Sequence, residues 1–211
     1  LLSPAALAIN DLHQQKRLWL SKLVVDNFRN YQTANLQIDA SSVVLTGPNG
    51  AGKTNLLEAI SLLAPGRGMR RARHKHWPNT SSESSHWSVA ATVESADGEV
   101  QIGSGVTLDA LHAGRVMRLE GQTVSQTEVG GYISVSWLAP NMDGIFVDSP
   151  NARRRFLDRL VIAFDSAHIG RMARYEKALR QRSILLTEGQ GDSDWLKSLE
   201  AVLAETAVAV T

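Results

Sequence analysis

The sequence predicts an α/β fold in which a head built around a glycine loop is followed by a helical segment. Three observations carry this. The stretch Gly47–Thr54, GPNGAGKT, lies between a compact β-rich run and an amphipathic stretch. Between Trp87 and Leu119 apolar residues alternate with others, the period of strands with one buried face. After Pro150 the apolar residues recur at helical spacing instead. These shifts divide the chain into an amino-terminal extension over 1–18, a head over 19–148 and an incomplete helical segment over 149–211.

The elements follow in order. Leu1–Ile9 is mildly apolar but lacks a basic n-region, and Asn10-Asp11 interrupts it, so it reads as a loose extension and not as a signal peptide. The chain does not begin with Met. Trp19–Val25 reads as a strand, Leu36–Ile38 as a short second strand, and Val43–Thr46 as a third that ends in the glycine loop. Leu56, Leu57, Ile60 and Leu63 recur at helical spacing and predict a helix from Lys53 to Leu63. Trp87–Val93, Val100–Ile102 and Val116–Leu119 read as short antiparallel strands, with turns at Ala96–Gly98 and Glu120-Gly121. Tyr132–Leu138 is a further predicted strand. Ser149-Pro150 supplies an N-cap and a proline at the first helical position. The helix that follows carries an apolar stripe of Phe156, Leu157, Leu160, Val161 and Phe164. A second helix is predicted over Ala167–Leu186, a break at Gly189–Asp192, and a third helix from Ser193 with Trp195, Leu196, Leu199, Val202 and Leu203 in register. That run reaches Thr211 without a Gly, Asn or Pro stop signal, which predicts a chain truncated within an element.

Composition narrows the chemistry. The 211 residues carry a formal net charge of +1, so any attraction to a polyanion must be local. There is no Cys, which excludes a disulfide framework, Cys-ligated zinc and thiolate catalysis. No apolar run approaches the ~20 residues of a membrane helix. A reducing, cytoplasmic setting is the expectation.

Gly47, Pro48, Asn49, Gly50, Ala51, Gly52, Lys53 and Thr54 match G-x-x-x-x-G-K-[ST] in full. Glycines let the backbone curl so that successive N–H groups face phosphate oxygens, and the following helix adds its positive end. The motif assigns Lys53 to the β- and γ-phosphates and the Thr54 hydroxyl to Mg²⁺. ATP and Mg²⁺ are therefore the expected cofactors. Hydrolysis needs a further acidic element that holds Mg²⁺ and orients water. Gly144–Asp148 (GIFVD) is too short and has no second carboxylate, so it reads as a strand end or turn before the Ser149 cap. Leu186–Gln190 (LTEGQ) approximates an L-S-G-G-Q signature but has Glu188 in place of the first Gly, and it reads as an inter-helix turn. No catalytic residue is assigned, and whether the chain is itself an enzyme stays open.

Leu23–Tyr31 (LVVDNFRNY), the loop, Asn55–Ile60 (NLLEAI), Ala64–Arg70 (APGRGMR), Trp137–Asp143 (WLAPNMD) and Asp148–Asp158 (DSPNARRRFLD) together are specific. In this combination the chain resembles the amino-terminal part of the RecF family, bacterial DNA repair ATPases related to the SMC proteins, over about residues 19 to 205. The resemblance implies an ABC-type ATPase head, lobe I, and a helical arm, lobe II. It implies weak DNA-dependent ATPase activity, ATP-driven homodimerisation on single-stranded, gapped or junction DNA, work with RecO and RecR in loading RecA, and support of the SOS response. It also implies that the signature motif and the acidic strand lie carboxy-terminal to the stretch present here. Residues 1–17 precede the usual family start, and Asn141-Met-Asp143 stands where many members have Glu-Asp-Leu, so a nucleotide or metal role does not carry over to that loop.

From spacing alone Arg29 reads as a solvated loop residue; the resemblance implies a contact with the nucleotide phosphates. Arg67, Arg70, Arg71, Arg73 and Lys75 place five formal positive charges in one acid-free loop, which reads evenly as a DNA-backbone contact or as a solvated loop. Arg153, Arg154, Arg155 and Arg159 cannot all face one partner, since successive helical residues are ~100° apart, and structural ion pairs such as one with Asp158 are expected. His74, His76, His86 and Glu83 lie in or beside a Ser-rich loop without ligand spacing, and no metal site is assigned to them. Three alternatives remain: a non-catalytic DNA-binding fragment, another SMC-like phosphate-loop ATPase, and a metabolic phosphate-loop kinase. The last would need a substrate lid and a second acidic strand, which the sequence does not display.

Overall fold

The computed structural model describes residues 18–39, 42–72, 76–106, 114–188 and 193–208. They form two compact units, one up to Val129 and one from Gly130.

The first unit is a six-stranded antiparallel sheet with one main helix. Its strands are β1 (Trp19–Phe28), β2 (Tyr31–Gln37), β3 (Ser88–Ser95), β4 (Gly98–Val106), β5 (Arg115–Leu119) and β6 (Gln122–Val124), in the spatial order β2-β1-β3-β4-β5-β6. β1 runs three residues beyond its predicted end because Asp26 and Phe28 continue the ladder opposite Thr33 and Tyr31. The connection is only Arg29-Asn30, and Arg29 takes a positive φ of 56° to close it. Glu120 and Gly121, at φ 49° and 78°, make the predicted two-residue turn between β5 and β6. The alternating residues bury one face: Leu23 and Val25 on β1, Val89, Ala91 and Val93 on β3, Ile102 on β4 and Met117 on β5.

Helix α1 (Lys53–Ser61) belongs to the same unit. It turns a slightly different side inward than the spacing of Leu56, Leu57, Ile60 and Leu63 predicts. Leu56, Ala59, Leu62 and Leu63 are buried, whereas Leu57 is half exposed. The cause is Glu58, which occupies the buried side and is itself inaccessible. Past its end, the carbonyls of Leu62 and Ala64 accept hydrogen bonds from the Arg115 guanidinium of β5. Trp77 and Trp87 meet edge-on at 4.9 Å, and Phe28 tilts against Trp87 at 5.7 Å, so three aromatic rings close the core beside the basic loop. A short helix, α2 (Gln126–Val129), ends the unit.

Two predicted strands are not observed. Val43–Thr46 has no regular structure and no ladder partner among the described residues, and Val44 is 84% exposed. Tyr132–Leu138 likewise pairs with nothing described. A strand is defined by its neighbour, and an apolar run alone does not supply one.

The second unit holds helices α3 (Pro150–Phe164), α4 (His168–Glu188) and α5 (Ser193–Val208). The Ser149 hydroxyl accepts from the Ala152 N–H at 3.3 Å, the predicted N-cap. Ala178 and Leu185 of α4 pack with Leu199, Val202 and Leu203 of α5. Arg174–Glu205 at 3.2 Å and Arg182–Glu200 at 3.0 Å pair the same two helices at their surface. On α3, Leu157 and Phe164 of the predicted stripe are exposed, because no described element covers that side. The arginine run divides as its arc requires: Arg153 donates to the Asp148 carbonyl, Arg154 pairs with Asp158 at 3.7 Å, and Arg159 stacks over Trp137 at 4.1 Å. No helix of the described residues is long and apolar enough to cross a membrane.

Candidate functional site

The glycine loop leads directly into α1. Gly47, Gly50 and Gly52 adopt φ of 143°, 84° and 103°, which L side chains rarely take. Gly52 is required twice over. A Cβ there would lie 2.5 Å from the Tyr31 hydroxyl and 2.6 Å from Asn30 Nδ2. Gly52 is also the N-cap of α1, so no side chain caps the helix, and its first turn holds no acidic residue. Amides left without a capping acceptor at a positive helix end form an anion cradle.

Lys53 folds back over this cradle. Its ammonium donates to the carbonyls of Gly47 at 2.7 Å and Pro48 at 2.8 Å. An ammonium has three donors, so the lysine spans the loop and retains one. Pro48 accepts a turn hydrogen bond from the Ala51 N–H at 3.2 Å, while Asn49 and Gly50 form the exposed tip. Thr54 is exposed one residue into the helix.

Behind the loop lies a polar scaffold that spacing alone did not reveal. Asn30 donates to the Ala51 carbonyl at 3.4 Å and accepts from Asn55 Nδ2 at 2.7 Å. Arg29 grips Glu58 with two prongs, Nε to Oε2 at 2.9 Å and Nη2 to Oε1 at 2.6 Å, and its Nη1 donates to the His76 carbonyl at 2.6 Å. Arg70 reaches the same carboxylate at 3.1 Å and the side-chain oxygen Oδ1 of Asn55 at 2.8 Å. Glu58 is thus a buried acid neutralised by two arginines, one from the β1–β2 turn and one from the basic loop. The sequence signal for it is an acid among apolar positions of an amphipathic helix, with arginines before and after; its partners 29 and 12 residues away are not legible from spacing.

Of the predicted basic cluster, Arg67 and Arg71 are exposed and Arg70 is tied to Glu58 and Asn55. Arg73, His74 and Lys75 lie outside the described residues. Gly144–Asp148 is a succession of turns and not a strand: Val147 and Asp148 both donate to the Gly144 carbonyl, and Asp148 accepts from the Ser149 N–H. Leu186, Thr187 and Glu188 form the last residues of α4, while the glycine and glutamine of that decoy lie outside the described residues. Among the described residues no group of three or more His, Cys, Asp or Glu side chains could hold a metal ion. A cation at this loop would have the Thr54 hydroxyl and the phosphates of a nucleotide, which suits Mg²⁺, an ion that keeps most of its coordination for phosphate and water. The donor-rich cradle, the lysine and the single hydroxyl therefore fit a Mg·nucleotide.

The pattern of the RecF/RecN/SMC N terminal domain matches residues 19–190. The chain is similar to the DNA replication and repair protein RecF of Agrobacterium fabrum, 46% identical over 192 residues, which is 90% of this chain and 51% of that protein. It is 44% identical to RecF of Mesorhizobium japonicum over 90% of this chain and 50% of that protein. Among solved structures it resembles the recombination mediator protein RecF of the RecFOR pathway with ATPrS, at a TM-score of 0.81, 29% identity, 92% of this chain and 52% of that one. The same protein with ATP gives a TM-score of 0.79 at 29% identity. The chain spans about half the length of the relatives it matches. With the family pattern covering most of its length, the chain belongs to the RecF/RecN/SMC N-terminal domain family.

Proposed function

We propose that this chain is the ATP-binding amino-terminal part of a RecF-like DNA replication and repair protein. The observation that carries the reading is the uncapped start of α1 behind a glycine loop whose Gly52 takes a φ of 103°, which L side chains rarely adopt. Gly47–Thr54 would wrap the phosphates, Lys53 would exchange the Gly47 and Pro48 carbonyls for β- and γ-phosphate oxygens, and Thr54 would hold Mg²⁺. The cation supplies charge neutralisation between phosphate oxygens when bound. Arg29 has two of its five N–H donors left after binding Glu58 and His76, and these are what it would offer a phosphate.

Arg67, Arg70, Arg71, Arg73 and Lys75 would contact DNA backbone. Such contacts are salt-dependent and carry no sequence preference. Family resemblance supports the rest: an ATP-dependent homodimer in the cytoplasm on single-stranded or gapped DNA, acting with RecO and RecR in RecA loading and the SOS response. For the residues in hand we propose nucleotide binding without efficient turnover, since Asp148 sits in a turn and accepts from Ser149.

Titration with a fluorescent ATP analogue and Mg²⁺, with a circular-dichroism melt of the same sample, tests this reading. Binding that Lys53→Ala abolishes is expected. Salt-dependent DNA binding that ignores ATP, with no nucleotide bound by the folded chain, would instead favour a non-catalytic DNA-binding fragment.

A further inference from the structure

A second concavity lies past the carboxy-terminal end of α1, about 13 Å along the helix from the glycine loop at 1.5 Å per residue. It is about 200 Å³ in volume and lined by Gly66, Arg67, Ala72, Trp77, Arg115 and Gln126. Among the described residues no carboxylate lines it.

Its polar side chains, Arg67, Arg115 and Gln126, all carry N–H donors. Arg115 spends four of its five N–H groups on neutral acceptors: Nε on the Ser104 hydroxyl, one on Nη1 on the Gly66 carbonyl, and the two on Nη2 shared among the carbonyls of Leu62 and Ala64 and the Met117 sulfur. One Nη1 hydrogen remains. Among the described residues no acid pairs with this guanidinium, so dipoles satisfy its hydrogen bonds while its full charge stays uncompensated. Burial lowers its pKa to about 10 by desolvation, the mark of a cation held away from water without an anion. Gln126 uses its carbonyl oxygen to accept from the Gly66 N–H at 2.8 Å, which leaves its amide NH₂ as a donor. Arg67 is exposed and adds a second guanidinium.

We propose that this cavity is an oxyanion site that takes a single phosphate group, held by Arg67, the remaining Arg115 N–H and the Gln126 amide. Donors on three separate segments suit a tetrahedral ion with several acceptor oxygens. Doubly charged phosphate also offsets the two guanidinium charges, which one carboxylate would not. The group is either free inorganic phosphate or the terminal phosphate of a nucleic-acid strand, since both offer the same oxygens.

The test uses the full chain carrying Lys53→Ala, so that the glycine loop does not contribute. Inorganic phosphate is titrated at constant ionic strength set with sodium chloride, reading tryptophan fluorescence, because Trp77 lines the cavity. A parallel arm compares a thymidine dinucleotide with and without a 5′-phosphate. We expect a saturable response to phosphate, weakened about ten-fold or more by Arg67→Ala, which is exposed, and by Gln126→Glu, which keeps the acceptor for Gly66 and adds a negative charge. Tighter binding of the phosphorylated dinucleotide than of inorganic phosphate assigns the site to a strand end; the reverse assigns it to the free ion. A response that does not saturate, or one that both cavity variants leave unchanged while their melting temperatures match the parent, overturns the proposal.

Discussion

Arg29 and Glu58 meet in a two-pronged ion pair, 2.6 Å and 2.9 Å, with the carboxylate wholly buried. The pair joins the β1–β2 turn to the middle of the phosphate-loop helix. Arg29 therefore positions α1 in this structure. Arg29→Ala should strip the acid of its less exposed partner and leave it to Arg70. Loss of one partner from a buried pair costs about 3–5 kcal/mol, and because the Arg29 side chain is 18% exposed we expect the lower end. Urea unfolding reads this directly. A cost below about 1 kcal/mol would place the pair among ordinary surface ion pairs.

Gly52→Ala should damage both the fold and the site. The left-handed backbone costs an L residue about 1–2 kcal/mol, and the new Cβ would lie 2.5 Å from the Tyr31 hydroxyl. Nucleotide affinity should fall with stability. Trimming Tyr31 to Ala in the same chain should relieve its part of the clash and leave the Asn30 contact and the backbone strain, so the double variant should recover part of the melting temperature and not all of it.

Asn30→Ala separates the two. Its side chain links Ala51 of the loop to Asn55 of α1 through exposed hydrogen bonds. Stability should change little, by about 0.5–1.5 kcal/mol for a net hydrogen bond. Nucleotide binding should weaken several-fold, because the loop loses its tether. Equal loss of binding and stability would argue against a positioning role.

For DNA, Arg67→Ala and Arg71→Ala should each lower affinity uniformly across sequences and reduce the slope of log affinity against log salt by about 1. Arg70→Ala should also reduce thermal stability, because Arg70 holds Glu58 and Asn55. An unchanged salt slope in the first two variants would remove the basic loop from the DNA contact.

Local features of this fold are legible in the sequence because their causes are local. The Ser149 cap, the Glu120-Gly121 turn, the hairpin alternation of β3 and β4 and the glycine loop all depend on residues within a few positions of one another. Val43–Thr46 misled because a strand needs a partner, and none is described. Leu57 misled because Glu58, drawn inward by Arg29 and Arg70, rotates the buried side of α1. Arg115 was invisible for the same reason: the carbonyls it caps lie 51 and 53 residues earlier.

On the proposed function, Gly47–Thr54 holds a nucleotide in this chain. The most direct test is a titration of the wild-type chain and Lys53→Ala with a fluorescent ATP analogue in Mg²⁺, each sample shown to be folded by its circular-dichroism melt. The expected result is saturable binding by the wild type that Lys53→Ala abolishes and that magnesium removal with EDTA weakens. A folded wild-type chain that binds no nucleotide, or a Lys53→Ala chain that binds as tightly as its parent, would contradict it.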